Sequence, residues 1–295
     1  MDKPLIDLPR IRAALFGTPD QRRILAAKYN VSAMETPQGL EAEILRSFGQ
    51  AERPVEATTH DNQAIFRAAV RSLGSNSRDW KAFLNGEAKL VELTGNYDPV
   101  VTAVIGSHAA KAIQQLIPGQ TSGGDARAIV AWAERLNTSQ GYDSYLKSLR
   151  EETRTRAQAR GISLTEQEMT AMIALIVGMA PDAFPHGAFP LKASGMGPTL
   201  ASEFLRNLGW SGFKPDRHVR RLLTKWFPED VQVRQRAEAL AKSIGTRRRD
   251  AVDFLYFSIL GAERSPPGMQ ISHVDNLVWL YGAMIDTGRK ARSKP

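Results

Sequence analysis

Residues 189–227 read FPLKASGMGPTLASEFLRNLGWSGFKPDRHVRRLLTKWF and contain the most informative motifs of the chain. The first half of this stretch predicts a hairpin over residues 190–209, with a Gly-Met-Gly turn at 195–197 ahead of a helix. Pro198 takes the first turn of that helix, where its missing N–H group costs no hydrogen bond. The apolar face of the helix is predicted to comprise Leu200, Ala201, Phe204, Leu205 and Leu208. A turn of this kind presents free backbone N–H groups that an anion can approach.

The second half of the stretch predicts a loop over residues 210–217 and another helix. The loop ends in Pro215-Asp216, and the helix that follows is basic on one side and apolar on the other. Its apolar positions are Val219, Leu222, Leu223 and Trp226. An acidic residue here is a good helix N-cap. It also lies close to any anion that the arginines and the glycine turn hold.

Helical patterning extends over the rest of the chain. Apolar residues recur at helical spacing over residues 65–73, 100–116, 125–136 and 165–178. Thr18 and Thr165 are predicted helix N-caps, because each is followed by residues that favour a helix start. Alternation typical of strands is scarce. The sequence therefore predicts an all-α protein.

Breaks in the pattern suggest how the chain is divided. They fall at residues 50–59, 118–124, 181–190 and 264–270. We expect a helical N-terminal region over 1–120, a second region over 121–288 that holds the hairpin and the loop, and a basic tail over 289–295. No long flexible linker separates the two regions, so we expect them to form one body.

Composition excludes several classes of protein. Among the 295 residues there is no cysteine, which removes disulfides, thiolate zinc sites and cysteine-bound iron–sulfur clusters. No apolar run approaches the about 20 residues of a membrane span, and the N-terminus lacks a signal-peptide pattern. The five histidines lack a paired helical spacing, so no metal site built from side chains is predicted. We expect a cytoplasmic protein without a membrane partner.

The net charge of +8 is concentrated in one part of the chain. Residues 201–250 contain twelve Lys and Arg against six Asp and Glu, and the tail adds four more cations. Such a basic stretch favours a polyanionic partner, most simply DNA. A solvated helix face is the alternative from charge alone.

These motifs resemble the helix-hairpin-helix base-excision DNA glycosylases (the HhH-GPD superfamily), of which this chain would be a divergent member. The resemblance rests on the turn at 195–197, the helix after it and the Pro-Asp-Arg-His-Val-Arg run at 215–220. It implies a two-lobed all-α fold in which the hairpin grips the DNA backbone, partly through a monovalent cation on its carbonyl oxygens. A target nucleotide would be flipped into a pocket between the lobes. Asp216 would be the catalytic carboxylate.

The resemblance also assigns roles to other residues. Predicted DNA contacts are Gly195, Met196, Gly197, Thr199, Lys192, Lys214, Arg217, Arg220 and Arg221. Thr199 stands where bifunctional members carry the lysine that forms a Schiff base with the sugar, so we expect a monofunctional hydrolase without lyase activity. Aromatic residues that could stack on a flipped base are Trp132, Trp210, Trp279 and Tyr281. Apart from the monovalent cation, no cofactor is expected, and no protein partner follows from the sequence.

Other functions remain open at this level. A non-enzymatic DNA-binding protein could use the same hairpin as a grip on the backbone, with Asp216 acting only as an N-cap. A helical interaction protein with a basic patch would need neither the hairpin nor the spacing to Asp216. For a glycosylase, the excised base and a role in repair or in removing modified bases from foreign DNA stay undecided.

Overall fold

A computed structural model describes residues 3–32, 36–55, 57–77, 80–138, 141–181, 184 and 192–288. These residues form fifteen α-helices and no strand, which confirms the all-α prediction. In chain order the helices are α1 Leu8–Phe16, α2 Pro19–Tyr29, α3 Pro37–Phe48, α4 Asn62–Gly74, α5 Trp80–Leu93, α6 Pro99–Ile105, α7 Ser107–Leu116, α8 Ser122–Thr138, α9 Tyr142–Gln158, α10 Glu166–Met179, α11 Pro198–Asn207, α12 Arg217–Trp226, α13 Val231–Ser243, α14 Arg249–Glu263 and α15 Ile271–Met284.

The central helix is α10. Every residue from Glu168 to Gly178 is buried, and the helix packs against α9, α11 and α14. A helix that is apolar on nearly all sides belongs in the interior of a protein. The predicted cap is present, because the Thr165 hydroxyl accepts from the Glu168 N–H group at 3.2 Å and the Glu168 carboxylate accepts from the Thr165 N–H group at 2.9 Å.

Gly178 sets the distance between α10 and α11. A Cβ atom at this position would lie 2.5 Å from the backbone nitrogen of Pro198. Only glycine allows the end of α10 to approach the start of α11 so closely. The central helix therefore positions the N-terminal end of α11, where the Gly-Met-Gly turn enters.

Helices from before and after residue 120 pack against each other. Helix α4 of the first region contacts α11 of the second, and α1 of the first region contacts α15 of the second. The segment between α3 and α4 also reaches across, since the Arg53 N–H group donates to the Gly209 carbonyl at 2.8 Å. These contacts cross the boundary that the sequence places near residue 120.

The structure corrects one predicted helix. The apolar stripe at residues 100–116 forms two helices, α6 and α7, rather than one. Gly106 separates them with a φ of 59°, in the left-handed region that favours glycine. The predicted break at 118–124 is also shorter, because α8 begins at Ser122. Most of the break at 181–190 and the tail at 289–295 lie outside the described residues.

Candidate functional site

The turn before α11 is a four-residue turn closed by the Met196 N–H group, which donates to the Ala193 carbonyl at 3.2 Å. Gly195 occupies its third position with a φ of 70°, as turns with a left-handed third residue require. A side chain at Gly195 would also collide with Ala128, whose Cβ atom would lie 2.5 Å away. The Met196 side chain is buried, so a ligand that approaches this turn from solvent would meet its backbone and not that side chain.

The N-terminal end of α11 is open. Gly197 is the N-cap, and no side chain there hydrogen-bonds to the first turn. A Cβ atom at Gly197 would meet nothing within 4 Å. Thr199 in the first turn is half-buried. Unfilled N–H groups at an accessible helix start are a suitable place for a phosphate.

The loop after α11 runs back along that helix. The Ser202 hydroxyl donates to the Phe213 carbonyl at 3.4 Å, and Lys214 Nζ lies 3.0 Å from Glu203 Oε2. The loop therefore returns from the C-terminal end of α11 toward the half that carries the glycine turn. It ends at Asp216, where α12 begins.

Asp216 is the N-cap of α12. Its Oδ1 atom accepts from the N–H groups of His218 at 2.8 Å and Val219 at 2.9 Å. Its Oδ2 atom has no hydrogen bond to any residue that the structure describes. One oxygen is thus held by the helix while the other is available, in a residue that is only half-buried.

The backbone around Asp216 is fixed by two further hydrogen bonds. The Asp216 N–H group donates to the Lys214 carbonyl at 2.8 Å, and Arg220 Nε donates to the Pro215 carbonyl at 2.7 Å. Burial lowers the pKa of Arg220 despite the nearby carboxylates of Asp253, Asp216 and Asp250. The carboxylate therefore has a defined orientation before any ligand binds.

A buried polar cluster lies behind this loop, and we call it the Arg206 cluster. Its members are Gln50, Glu203, Arg206, Lys214, Asp275 and Asn276. The Arg206 side chain has no exposed surface. Its Nη1 atom lies 2.7 Å from Asp275 Oδ2, and its Nη2 atom donates to Gln50 Oε1 and Asn276 Oδ1, both at 2.8 Å.

The two acids of the Arg206 cluster differ in their electrostatics. Burial raises the pKa of Asp275 to about 7, because desolvation outweighs the attraction of Arg206 and Lys214. For Glu203 burial is also the largest single effect, but Lys214 and Arg206 together hold its pKa below the ordinary value. No short sequence motif connects residues 50, 203–214 and 275–276, so the cluster does not follow from the sequence pattern.

The predicted DNA-binding cations divide into two groups. Lys192 and Arg217 are exposed, and Arg217 Nε donates to His218 Nε2 at 3.3 Å. The other three are bonded within the protein: Lys214 to Glu203, Arg220 to Pro215 as described, and Arg221 to two carbonyls. Arg221 Nη2 donates to the Gly282 carbonyl at 3.0 Å and also to the Asp286 carbonyl. These three cations are thus tied to the protein, and their contact with DNA stays a prediction.

The four aromatic candidates for a base pocket are not brought together. Trp132 is fully buried and its Nε1 donates to the Ser194 carbonyl at 3.0 Å, so it supports the glycine turn from inside. Trp210 is 3% exposed. Trp279 packs edge-on against Phe48, and Tyr281 lies beside Trp226. Trp132 and Trp210 are thus core residues with no free ring face, contrary to the expectation.

Clefts on the surface lie away from Asp216. One of about 400 Å³ lies between the 49–53 segment and α4 and contains Arg53, His60 and Arg67. Another of about 220 Å³ separates Tyr281 from the segment before α1. Asp216 is among the lining residues of neither.

Possible metal and membrane sites are limited in the described part of the chain. No group of three or more His, Cys, Asp or Glu side chains is arranged there to hold a metal ion. Three carbonyls at the glycine turn, those of Ala193, Ser194 and Gly197, already accept hydrogen bonds, so a cation there would rely on their second lone pairs or on neighbouring carbonyls. None of the described helices combines the length and apolar character needed to cross a membrane.

Comparisons with known proteins do not place the chain in a family. No family model, curated protein or solved structure matches it. The interpretation of the site therefore rests on its own residues, above all on the open start of α11 and the capped start of α12.

Proposed function

We propose that this protein is a monofunctional DNA N-glycosylase that hydrolyses the bond between a damaged or modified base and its sugar. The observation that carries the proposal is Asp216, whose Oδ1 atom is held by α12 while Oδ2 is available. The proposal includes a two-lobed glycosylase-like arrangement in which the turn at 193–197 and α11 act as the helix-hairpin-helix element.

Chemistry at Asp216 would follow the usual course of glycoside hydrolysis. As the bond to the base breaks, its electron pair leaves with the base and positive charge develops on the sugar. The Oδ2 atom would stabilise that charge and orient a water molecule, which attacks the sugar carbon and gives a proton to Oδ2. The departing base takes up a proton from solvent, and Oδ2 returns its proton to solvent. The products are the free base and an abasic site.

DNA backbone binding would use the open start of α11. The N–H groups of Gly197 and Thr199 can hold a phosphate without a side chain in the way. Lys192 and Arg217 would add charge from the surface. Such contacts are largely independent of sequence and weaken as salt increases.

The test is a panel of duplexes that carry alkylated, oxidised or otherwise modified bases, with free base measured by mass spectrometry. We expect release from at least one of them, with strand breaks only after alkali or heat. If no duplex in the panel loses a base, the enzymatic proposal is wrong.

The absence of a lyase step is a separate prediction. Thr199 has no amine to form a Schiff base with the sugar, so borohydride should trap no covalent complex with DNA. The assay is denaturing electrophoresis of protein incubated with abasic-site DNA and borohydride. A trapped band would contradict the prediction and direct attention to Lys214 or Lys192.

A non-enzymatic DNA-binding protein is the second candidate. Asp216 Oδ1 accepts two hydrogen bonds from the first turn of α12. They favour the non-enzymatic candidate, because they give this residue a sufficient structural role. Salt-dependent DNA binding without base release from the whole panel would support this candidate over the first.

A further inference from the structure

The two oxygens of Asp275 contact two different residues, one through a hydrogen bond and one through an ion pair. Oδ1 accepts from the Lys214 backbone N–H group at 3.0 Å, and Oδ2 lies 2.7 Å from Arg206 Nη1. A carboxylate accepts at both ends, whereas an amide of the same size accepts at only one. Asparagine at this position could therefore keep one of these contacts but not both.

The contact with Lys214 leads directly to the candidate catalytic residue. Lys214 is held at three points: its N–H group by Asp275, its Nζ atom by Glu203, and its carbonyl by the Asp216 N–H group. Between Asp275 and Asp216 there is thus one residue, Lys214, whose N–H group is bonded to Asp275 and whose carbonyl is bonded to the Asp216 N–H group. A shift of the Lys214 backbone would therefore be transmitted to the start of α12.

Charged groups face Asp275 from each neighbouring element. Arg206 comes from α11, Lys214 from the loop and Asp216 from the start of α12. Glu203 reaches the same two cations from α11, and Glu52 accepts from the Ser272 N–H group near the start of α15 at 2.6 Å. Asp275 has no exposed surface, so it has no direct access to DNA.

We propose that Asp275 is a positioning residue, which orients Asp216 through the Lys214 backbone while Arg206 fixes Asp275 itself. This inference rests on the proposed function, since it assigns Asp275 a part in base release. It concerns a residue that is remote from the surface and that no DNA-contact motif contains. In the absence of Asp275, Asp216 would keep its place in the chain but lose its fixed orientation.

The test compares Asp275→Asn with Glu168→Gln as a matched control. Glu168 is also a buried carboxylate that accepts from a backbone N–H group and from an arginine, Arg236. Its contacts hold the start of α10 and not the Asp216 loop. Both variants therefore remove a buried charge with the same kind of partners.

Two quantities are measured on each protein. The first is the single-turnover rate of base release across pH 5.5 to 8.5, together with DNA affinity. We expect Asp275→Asn to slow release by roughly tenfold to a hundredfold, as losses of orienting partners do elsewhere, with DNA affinity unchanged. The variant should also lose any inflection near pH 7 that the wild type shows, while Glu168→Gln should retain it.

The second quantity is hydrogen exchange at the amides of Lys214, Asp216, His218 and Val219. We expect faster exchange in Asp275→Asn and wild-type rates in Glu168→Gln. Equal base release and equal exchange in wild type and Asp275→Asn would overturn the proposal, as would equal losses in both variants. If the wild type releases no base, the proposed function has failed, and exchange alone decides whether Asp275 positions the loop.

Wild-type protein provides a check that needs no variant. If Asp275→Asn does not fold, native-state exchange of the wild type still reports on the Lys214 amide. We expect this amide to be the slowest to exchange between residues 209 and 216. Rapid exchange there would mean that Asp275 does not hold the loop, and the proposal would be wrong.

Discussion

Two helix starts, those of α11 and α12, are built in opposite ways. The start of α11 follows a tight turn and has no side-chain cap, and its N-cap Gly197 faces open space. The start of α12 is closed by Asp216 and supported from behind by the Arg206 cluster. The start of α11 is suited to bind an anion, whereas the start of α12 carries the carboxylate of Asp216. The proposed reaction would use this difference, because the DNA backbone is negative and the reacting sugar becomes positive.

The largest expected effect comes from Asp216→Asn, which removes the charge and keeps the cap. Asn and Asp are comparable N-caps, so the free energy of unfolding should change little. Loss of a group that stabilises the transition state costs about 2.7–4 kcal/mol, on the order of 10²–10³ in rate. We expect base release to collapse while DNA affinity holds or rises, as measured by mass spectrometry and by fluorescence anisotropy. Full base release in this variant would make Asp216 only a cap.

The next largest effect is expected on the free energy of unfolding, when the contact between α10 and the start of α11 is disturbed. Gly178→Ala places a Cβ atom 2.5 Å from the Pro198 nitrogen, and neither backbone can move away cheaply. We expect the free energy of unfolding to fall by about 1–3 kcal/mol, the usual range for overpacking. Urea denaturation measures it.

Gly124→Ala is the control for that substitution. Gly124 lies in α8, and a Cβ atom there would meet nothing within 4 Å. Alanine at this position should stabilise the protein by about 0.5–1 kcal/mol. If both variants were stabilised alike, the close approach of α10 and α11 would not be what holds the open helix start.

The support of the α12 start should depend on pH. The pKa of Asp275 is about 7 in the folded protein and about 3.9 in an unfolded chain. Between these values the folded protein binds a proton that the unfolded chain does not, so this contribution to stability is present at low pH and is lost as pH rises toward 7. Asp275→Asn should remove that trend, which has a maximum slope of about 1.4 kcal/mol per pH unit.

Denaturation of wild type and Asp275→Asn at a series of pH values measures this contribution. Burial also lowers the pKa values of His60, His218 and His273, but their effect is common to both proteins and cancels in the difference. A difference in stability that stays constant from pH 4.5 to 8 would contradict the prediction.

The smallest expected effect is on the salt dependence of DNA affinity, where Arg217 is compared with Arg221. Arg217→Gln should reduce the slope of log affinity against log salt by about 0.9, the value for one phosphate contact. Arg221→Gln should leave that slope unchanged and lower the free energy of unfolding, because the carbonyls of Gly282 and Asp286 lose their donor. If both variants changed the slope equally, Arg221 would contact DNA phosphate as Arg217 does, and the prediction would be wrong.

Local features of the fold could be predicted from the sequence, whereas distant pairings could not. The caps at Thr18 and Thr165 depend on residues within one helical turn, and both are present. The division of residues 100–116 was missed because the apolar spacing continues through Gly106, where only backbone conformation changes. Helical periodicity reports which face is apolar but not where a glycine leaves the helix.

The candidate site shows the same limit. The position of Asp216 after the loop and at the start of α12 was predicted, because proline, aspartate and the basic helix are adjacent in the sequence. The Arg206 cluster was missed because its members come from residues 50, 203–214 and 275–276, and no short motif connects them. The same holds for Arg221, whose acceptors lie more than sixty residues away on α15 and just beyond it.

The guanidinium of Arg206 has a consequence for the order in which the molecule can assemble. Its acceptors belong to the segment before α4, to α11 itself and to α15. A buried cation without its acceptors is costly, so α11 cannot settle against α10 with Arg206 inside until both distant segments have arrived. Among the described helices α15 comes last in the chain, so the Arg206 cluster is complete only once Asp275 and Asn276 of α15 reach Arg206.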